Sequence, residues 1–200
     1  MQPSLFSSAE NILPFDGEVY YYQDFFSQEV ADRFFAQLKN EINWQQEAIK
    51  IFGKKVMQPR LTAWYGDEGK SYSYSGITMQ PNKWTEPLLL IKQQVETVAP
   101  VCFNSALLNY YRHQKDSMGW HRDNEKELGI HPVIASVSLG AARKFQLRRY
   151  QKKDIIKSIE LIHGSLLLMQ GATQHYWEHQ LPKTTRQTGE RINITFRVII

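Results

Sequence analysis

A single cysteine, Cys102, stands among the 200 residues, which excludes an intrachain disulfide and fits a reducing compartment. Long apolar runs are missing as well: the longest, residues 88–91 and 166–169, fall far short of the roughly 20 residues a membrane-spanning helix needs. The first residues, Met1-Gln2-Pro3-Ser4, carry neither the basic patch nor the apolar stretch of a secretion signal. No low-complexity tract, internal repeat or Pro/Gly/Ser-rich linker divides the chain. With a length of about one domain, these absences predict an intracellular protein of one domain, residues 1–200, with no membrane partner; the chain is expected to be a monomer. What is present suits a packed core. Apolar residues make up 42% and aromatics 12%, against an ordinary 22% charged, so intrinsic disorder is not expected.

Charge is modest overall but unevenly placed. Residues 1–100 hold nine Lys and Arg against twelve Asp and Glu, while residues 101–200 hold fifteen against eight. A basic second half suits a polyanionic partner, although solubility alone would account for it. Two segments have helical periodicity. From Ser27, a suitable N-cap, Val30, Phe34, Leu38 and Ile42 recur at every fourth position. After Thr85, with Pro87 in the first turn, Leu88, Ile91, Val95 and Val98 repeat until Pro100 stops them. Downstream the period becomes two: residues 106–111, 133–139, 145–150, 156–162, 165–170 and 191–200 read as short strands. Helices first and strands afterwards predict an α+β, mainly β protein whose second half is a sandwich or barrel.

The last segment carries the first unusual pattern. Ile192, Ile194, Phe196, Val198 and Ile200 share one side of a strand, and Arg191, Asn193, Thr195 and Arg197 the other. The polar side could simply face water. The two arginines, about 20 Å apart at about 3.3 Å per residue, could instead lean together and grip the ends of a short dicarboxylate as bidentate forks.

The second pattern is Gly119-Trp120-His121-Arg122-Asp123. In extended chain His121 and Asp123 project to the same side, presenting an imidazole and a carboxylate together. One further His completes the two-His-one-carboxylate set that holds non-haem Fe(II), with positions left for a chelating co-substrate and O2. His113, His131 and His163 have no liganding context, whereas His179 lies twelve residues before Arg191. A competing motif, His175-Tyr176-Trp177-Glu178-His179, spells the inverted zinc-protease signature. That chemistry needs both His on one helical face. Gly171 and Thr173 before it, Pro182 after it and aromatics within it argue against a helix.

The combination resembles the AlkB family of Fe(II)- and 2-oxoglutarate-dependent dioxygenases, from about Ile51 onward. The residues that carry the resemblance are Asn109-Tyr110-Tyr111, His121-Arg122-Asp123, residues 134–140, residues 163–169, His179-Gln180-Leu181-Pro182 and residues 191–197. It implies a double-stranded β-helix (jelly roll) with N-terminal helices in residues 1–48, a nucleotide-recognition lid in 49–84 and a catalytic core in 100–200. It further implies His121, Asp123 and His179 as iron ligands and catalytic residues, with Fe(II), 2-oxoglutarate and O2 as cofactor and co-substrates. Arg191 would pair with the distal carboxylate of 2-oxoglutarate beside Asn109 and Tyr111. Arg197 would support the carboxylate nearer the metal, and Asn193 and Thr195 would line the same wall.

Residues 49–76 interleave aromatics with cations, which suits stacking on bases and contact with phosphates, although aromatics in such a stretch also fill cores. Phe52-Gly53, between Ile51 and a Lys pair, reads as a hairpin tip able to wedge into a base stack. The stretch resembles the lid of AlkB-type enzymes acting on double-stranded DNA. By that resemblance Tyr74 would stack on a damaged base, Tyr72, Ser75 and Glu125 would line its pocket, and Arg60, Lys183 and Arg186 would contact the DNA backbone. Asn124 departs from the Asp that close relatives often have, which bears on base preference. The implied activity is oxidative demethylation of alkylated DNA bases such as 1-methyladenine and 3-methylcytosine, in the cytoplasm of a bacterium or the nucleus of a eukaryote. The alternatives are the same chemistry on RNA, lipid or protein, a zinc protease, or a non-enzymatic basic binding module.

Overall fold

In the computed structural model of the protein, which describes residues 10–51, 54–69, 72–74, 77–79, 81–154 and 156–200, two antiparallel sheets share a packed interior. The larger is built from β1 (Glu18–Tyr22), β4 (Leu61–Gly66), β7 (Ser105–Tyr111), β9 (Ile134–Gly140), β12 (Ser165–Gln170) and β14 (Arg191–Arg197). They pair in the order β1-β12-β9-β14-β7-β4. The smaller contains β8 (Met118–His121), β10 (Arg143–Arg149), β11 (Ile156–Leu161) and β13 (Trp177–Leu181), in the order β11-β10-β13-β8. Strand order far from chain order, with every pair antiparallel, is that of a jelly roll. Two hairpins, β2 (Ala48–Ile51) with β3 (Lys54–Met57) and β5 (Tyr72–Tyr74) with β6 (Ile77–Met79), stand outside both sheets.

Helix α1 (Gln28–Glu41) starts where Ser27 accepts a hydrogen bond from the Val30 N–H, and buries Ala31, Phe34 and Leu38. Helix α2 (Glu86–Glu96) buries Leu88, Ile91 and Val95. It closes with the Thr97 N–H bonded to the Gln94 and Val95 carbonyls, so the chain has already left the helix before Pro100. Both helices cover the outer face of the larger sheet, where Val137, Leu139, Ile192, Ile194 and Phe196 complete one apolar cluster. A second cluster, including Phe145, Leu147, Leu161, Leu167 and Trp177, fills the space between the sheets. No helix among the described residues is long and apolar enough to cross a membrane.

The expectation of a purely helical N-terminal part needs correction, and two alternatives that the sequence leaves open are decided. The segment 1–48 adds β1 to the larger sheet as well as a helix. The segment 49–84 contains β4, an edge strand of that sheet, and its Trp64 and Tyr65 are buried in the core, where they are unavailable to stack on bases. Residues 191 to 197 are buried on both sides, so the polar side of β14 does not face water.

Gly140 ends β9 at φ +90°, and a Cβ there would press on the Glu190 carbonyl oxygen and the Phe35 ring. Gly140→Ala is expected to lower stability by at least about 1 kcal/mol, read from the urea midpoint. An unchanged midpoint would mean the turn accepts a side chain.

Candidate metal centre and co-substrate cavity

Strand β14 decides where the site lies. Its even-numbered residues meet the helices, so alternation aims Arg191, Asn193, Thr195 and Arg197 into a cavity between the two sheets. From the smaller sheet, β8 and β13 pair with His121 directly opposite His179, and their ring centroids lie 4.2 Å apart. Asp123 follows two residues after His121. One donor atom from each of His121, Asp123 and His179 can be chosen so that all lie within 4.8 Å of one another, and all three residues line the cavity.

The surroundings prepare these groups for a cation. The His121 Nδ1 lies 2.8 Å from the Gly119 carbonyl, which can only accept, so Nδ1 carries the proton and Nε2 keeps its lone pair. Burial lowers the pKa of His121, and burial together with His121 pushes His179 down to about 3, so both imidazoles are neutral at pH 7. Burial alone would raise the Asp123 carboxyl. Arg197, His179 and His121 overcome it and hold the group at about 2. Arg197 Nη2 donates to Asp123 Oδ1 at 2.9 Å, an ion pair almost wholly shielded from solvent. Neutral imidazoles and an ionised carboxylate are the protonation states a divalent metal requires.

At the Arg191 end the site suits an anion. Arg191 is 2% exposed, donates from Nη2 to Ser138 Oγ at 2.9 Å, and has no hydrogen-bond partner for Nε or Nη1 among the described residues. Burial and the nearby Arg143 bring its pKa down to about 10, which still leaves it cationic at pH 7. No carboxylate among the described residues pairs with it, and an uncompensated buried guanidinium is costly unless a ligand supplies the counter-charge. Tyr111 lies beside it, with the guanidinium carbon 5.3 Å from the ring centroid. Asn109 lines the same cavity. Asn193 donates to Ser136 Oγ and the Val137 carbonyl and accepts from Thr195, so these two residues brace the wall.

A description of the 2OG-Fe(II) oxygenase superfamily matches residues 18–197. The chain belongs to that superfamily. Within it, the chain is 44% identical over 179 residues to Alpha-ketoglutarate-dependent dioxygenase alkB homolog 3 of Bos taurus, a match covering 84% of the chain and 62% of the relative. It is 37% identical over 189 residues to DNA oxidative demethylase ALKBH2 of Mus musculus, covering 90% of the chain and 79% of the relative. The solved structure of OsALKBH1 shares the fold at TM-score 0.64 and 16% identity, covering 90% of this chain and 97% of that one. The chain spans less than two thirds of the length of the alkB homolog 3 relatives it matches. The chain is therefore of AlkB type, a family whose cofactor set is Fe(II), 2-oxoglutarate and O2. The two-imidazole, one-carboxylate donor set fits that metal, and the unmatched Arg191 fits a dicarboxylate.

The structure treats the remaining candidates unequally. Arg60, expected on the DNA backbone, is 4% exposed and donates from Nε to Asn109 Oδ1 at 2.6 Å and from Nη1 to the Ser117 carbonyl at 3.3 Å. Its desolvated fork is committed to buried acceptors, so it braces Asn109 and does not touch a phosphate. Lys183 and Arg186 are exposed, around a surface depression shared with Arg143 and Lys144. Glu125 is half-buried, and its Oε2 has no partner among the described residues. Tyr72 and Tyr74 fall in β5, whereas Phe52 and Ser75 lie outside the described residues. The zinc-protease alternative fails on geometry: the one-turn helix α3 (Thr173–Tyr176) ends before Trp177, leaving His175 exposed while His179 is buried on β13. Sequence reasoning missed Arg143, buried and donating to the Asp116 and Pro182 carbonyls, and Gln174, because an isolated Arg or Gln carries no spacing signal.

Proposed function

We propose that the protein demethylates N-alkylated DNA bases of the 1-methyladenine and 3-methylcytosine type, coupling formaldehyde release to conversion of 2-oxoglutarate into succinate and CO2. What supports this most is one cavity that joins the His121, Asp123 and His179 donors to the uncompensated Arg191, in a chain 37% identical to a DNA oxidative demethylase.

His121, Asp123 and His179 would hold the metal. Bound there, ferrous iron and 2-oxoglutarate would supply the O2 activation needed to oxidise an N-methyl group, whose carbon would be released as formaldehyde. Arg191 neutralises the distal carboxylate of the co-substrate, with Tyr111 and Asn109 fixing its end. Arg197 keeps Asp123 ionised and aimed. Phe145 and Leu161, on the smaller sheet, exclude water from the cavity wall. Phe52 wedges the stack, Tyr72, Tyr74, Ser75 and Glu125 receive the extruded base, and Lys183 and Arg186 meet phosphates. A methylated cationic base suits an aromatic clamp through cation–π attraction. The protein acts in this reading as an intracellular monomer, cytoplasmic in a bacterium and nuclear in a eukaryote.

The test is formaldehyde release from matched duplex and single-stranded oligonucleotides carrying 1-methyladenine or 3-methylcytosine. Release should require Fe(II), 2-oxoglutarate and the lesion together. Phe52→Ala should weaken duplex turnover by about 1–3 kcal/mol, the worth of one aromatic–base stack, and single-strand turnover by less. Equal losses on both would remove the wedge. Succinate formation that no methylated oligonucleotide stimulates would move the substrate outside DNA.

A further inference from the structure

The pairing of β8 with β13 has His121 opposite His179, and Asp123 lies past that last pair. Its backbone N–H therefore needs an acceptor from elsewhere, and Gln174 supplies it: Oε1 accepts from the Asp123 N–H at 3.0 Å. Gln174 is 1% exposed, and its Nε2 points at the Met169 sulfur at 3.7 Å, so its amide is fixed at both ends. A second connection runs the other way. Arg122 Nη1 donates to the Gln174 and His175 carbonyls at 3.4 and 3.2 Å, and its guanidinium lies 3.6 Å over the Tyr150 ring, which holds it flat. A side chain from residue 174 thus grips the backbone of 123, while a side chain from 122 grips the backbone of 174 and 175. Helix α3 leads directly into β13, which carries His179. The same short element is thereby fastened to the segment bearing His121 and Asp123 and to the strand bearing the third donor.

We propose that Gln174 is a positioning residue for the metal ligand Asp123, with Arg122 completing a two-way clasp between segment 121–123 and α3. This rests on the metal-centre reading above. Arg197 controls the charge and one oxygen of Asp123; Gln174 controls where the backbone beneath that carboxylate sits. Outer contacts of this kind typically change metal affinity by about 10–100-fold.

The test is calorimetric titration of the metal-free protein with Mn(II), alongside its urea midpoint and the ligand-field spectrum of the Co(II)-loaded form. Gln174→Met, close in shape but without the acceptor, should lose about 10–100-fold in Mn(II) affinity and shift the Co(II) spectrum. Gln174→Glu, which keeps an acceptor oxygen, should recover most of the affinity. Arg122→Met breaks only the second half of the clasp and should lose less than Gln174→Met, and it serves as the main probe if Gln174→Met does not fold. Wild-type Mn(II) affinity in folded Gln174→Met, or in Arg122→Met where only that variant folds, would overturn the clasp. So would a loss in Gln174→Met that Gln174→Glu does not repair. Absence of Mn(II) binding by the unmodified protein would overturn the metal-centre reading, and the clasp with it.

Discussion

Asp123→Ala should abolish turnover and metal binding together, and should also weaken the folded protein. The substitution removes one of three donors, so the loss in Mn(II) affinity should exceed the about 10–100-fold expected when only an outer contact is lost. It also removes the carboxylate that compensates Arg197, a guanidinium 5% exposed. Removing one partner of a buried ion pair destabilises by up to about 3–5 kcal/mol. Asp123→Asn separates the two effects: an amide oxygen can still accept from Arg197, so stability should partly return while the metal does not. Full turnover by Asp123→Ala would show that the three residues are not a metal centre.

Arg191→Met should move stability and co-substrate affinity in opposite directions. Without a ligand, Arg191 is a buried cation with Nε and Nη1 unmatched among the described residues. Replacing it with an apolar side chain of similar reach should raise the melting temperature of the ligand-free protein, as replacement of buried ionic groups by hydrophobic ones often does by about 1–4 kcal/mol. Affinity for 2-oxoglutarate should fall by about 2–5 kcal/mol, since the dicarboxylate loses a desolvated charge partner. The wild-type protein should gain stability as 2-oxoglutarate is added, through mass action, and the variant should not. Retained 2-oxoglutarate affinity in Arg191→Met would place the anion elsewhere.

The two patterns that led to the site were legible because each rests on local geometry. His121 and Asp123 are two residues apart in extended chain, and the alternation of Arg191, Asn193, Thr195 and Arg197 is a strand property. Helix α1 was legible for the same reason, with a capping Ser27 and a four-residue apolar repeat. Strands β1, β4, β8 and β13 were not. Each is only four to six residues long, and β8 and β13 carry Gly, Trp, His and Glu where an apolar alternation would announce a strand. Arg60 was misread because a guanidinium beside a turn gives no sign of whether it will be desolvated. Only the approach of Asn109 and the Ser117 carbonyl puts it in the interior.

Local pattern alone settled the chemistry on offer: an imidazole and a carboxylate two residues apart, two guanidiniums on one side of a strand, and a second imidazole twelve residues before the first of them. Whether the polar side of β14 met water or a cavity was decided only by tertiary structure. Its apolar side is claimed by helices α1 and α2, which leaves the other side facing the second sheet. Likewise the meeting of His121 with His179, the pairing of Arg197 with Asp123 and the seating of Asn109 by Arg60 join residues 49 to 74 positions apart. No local rule connects residues at such separations; strand register and the desolvation of charge do.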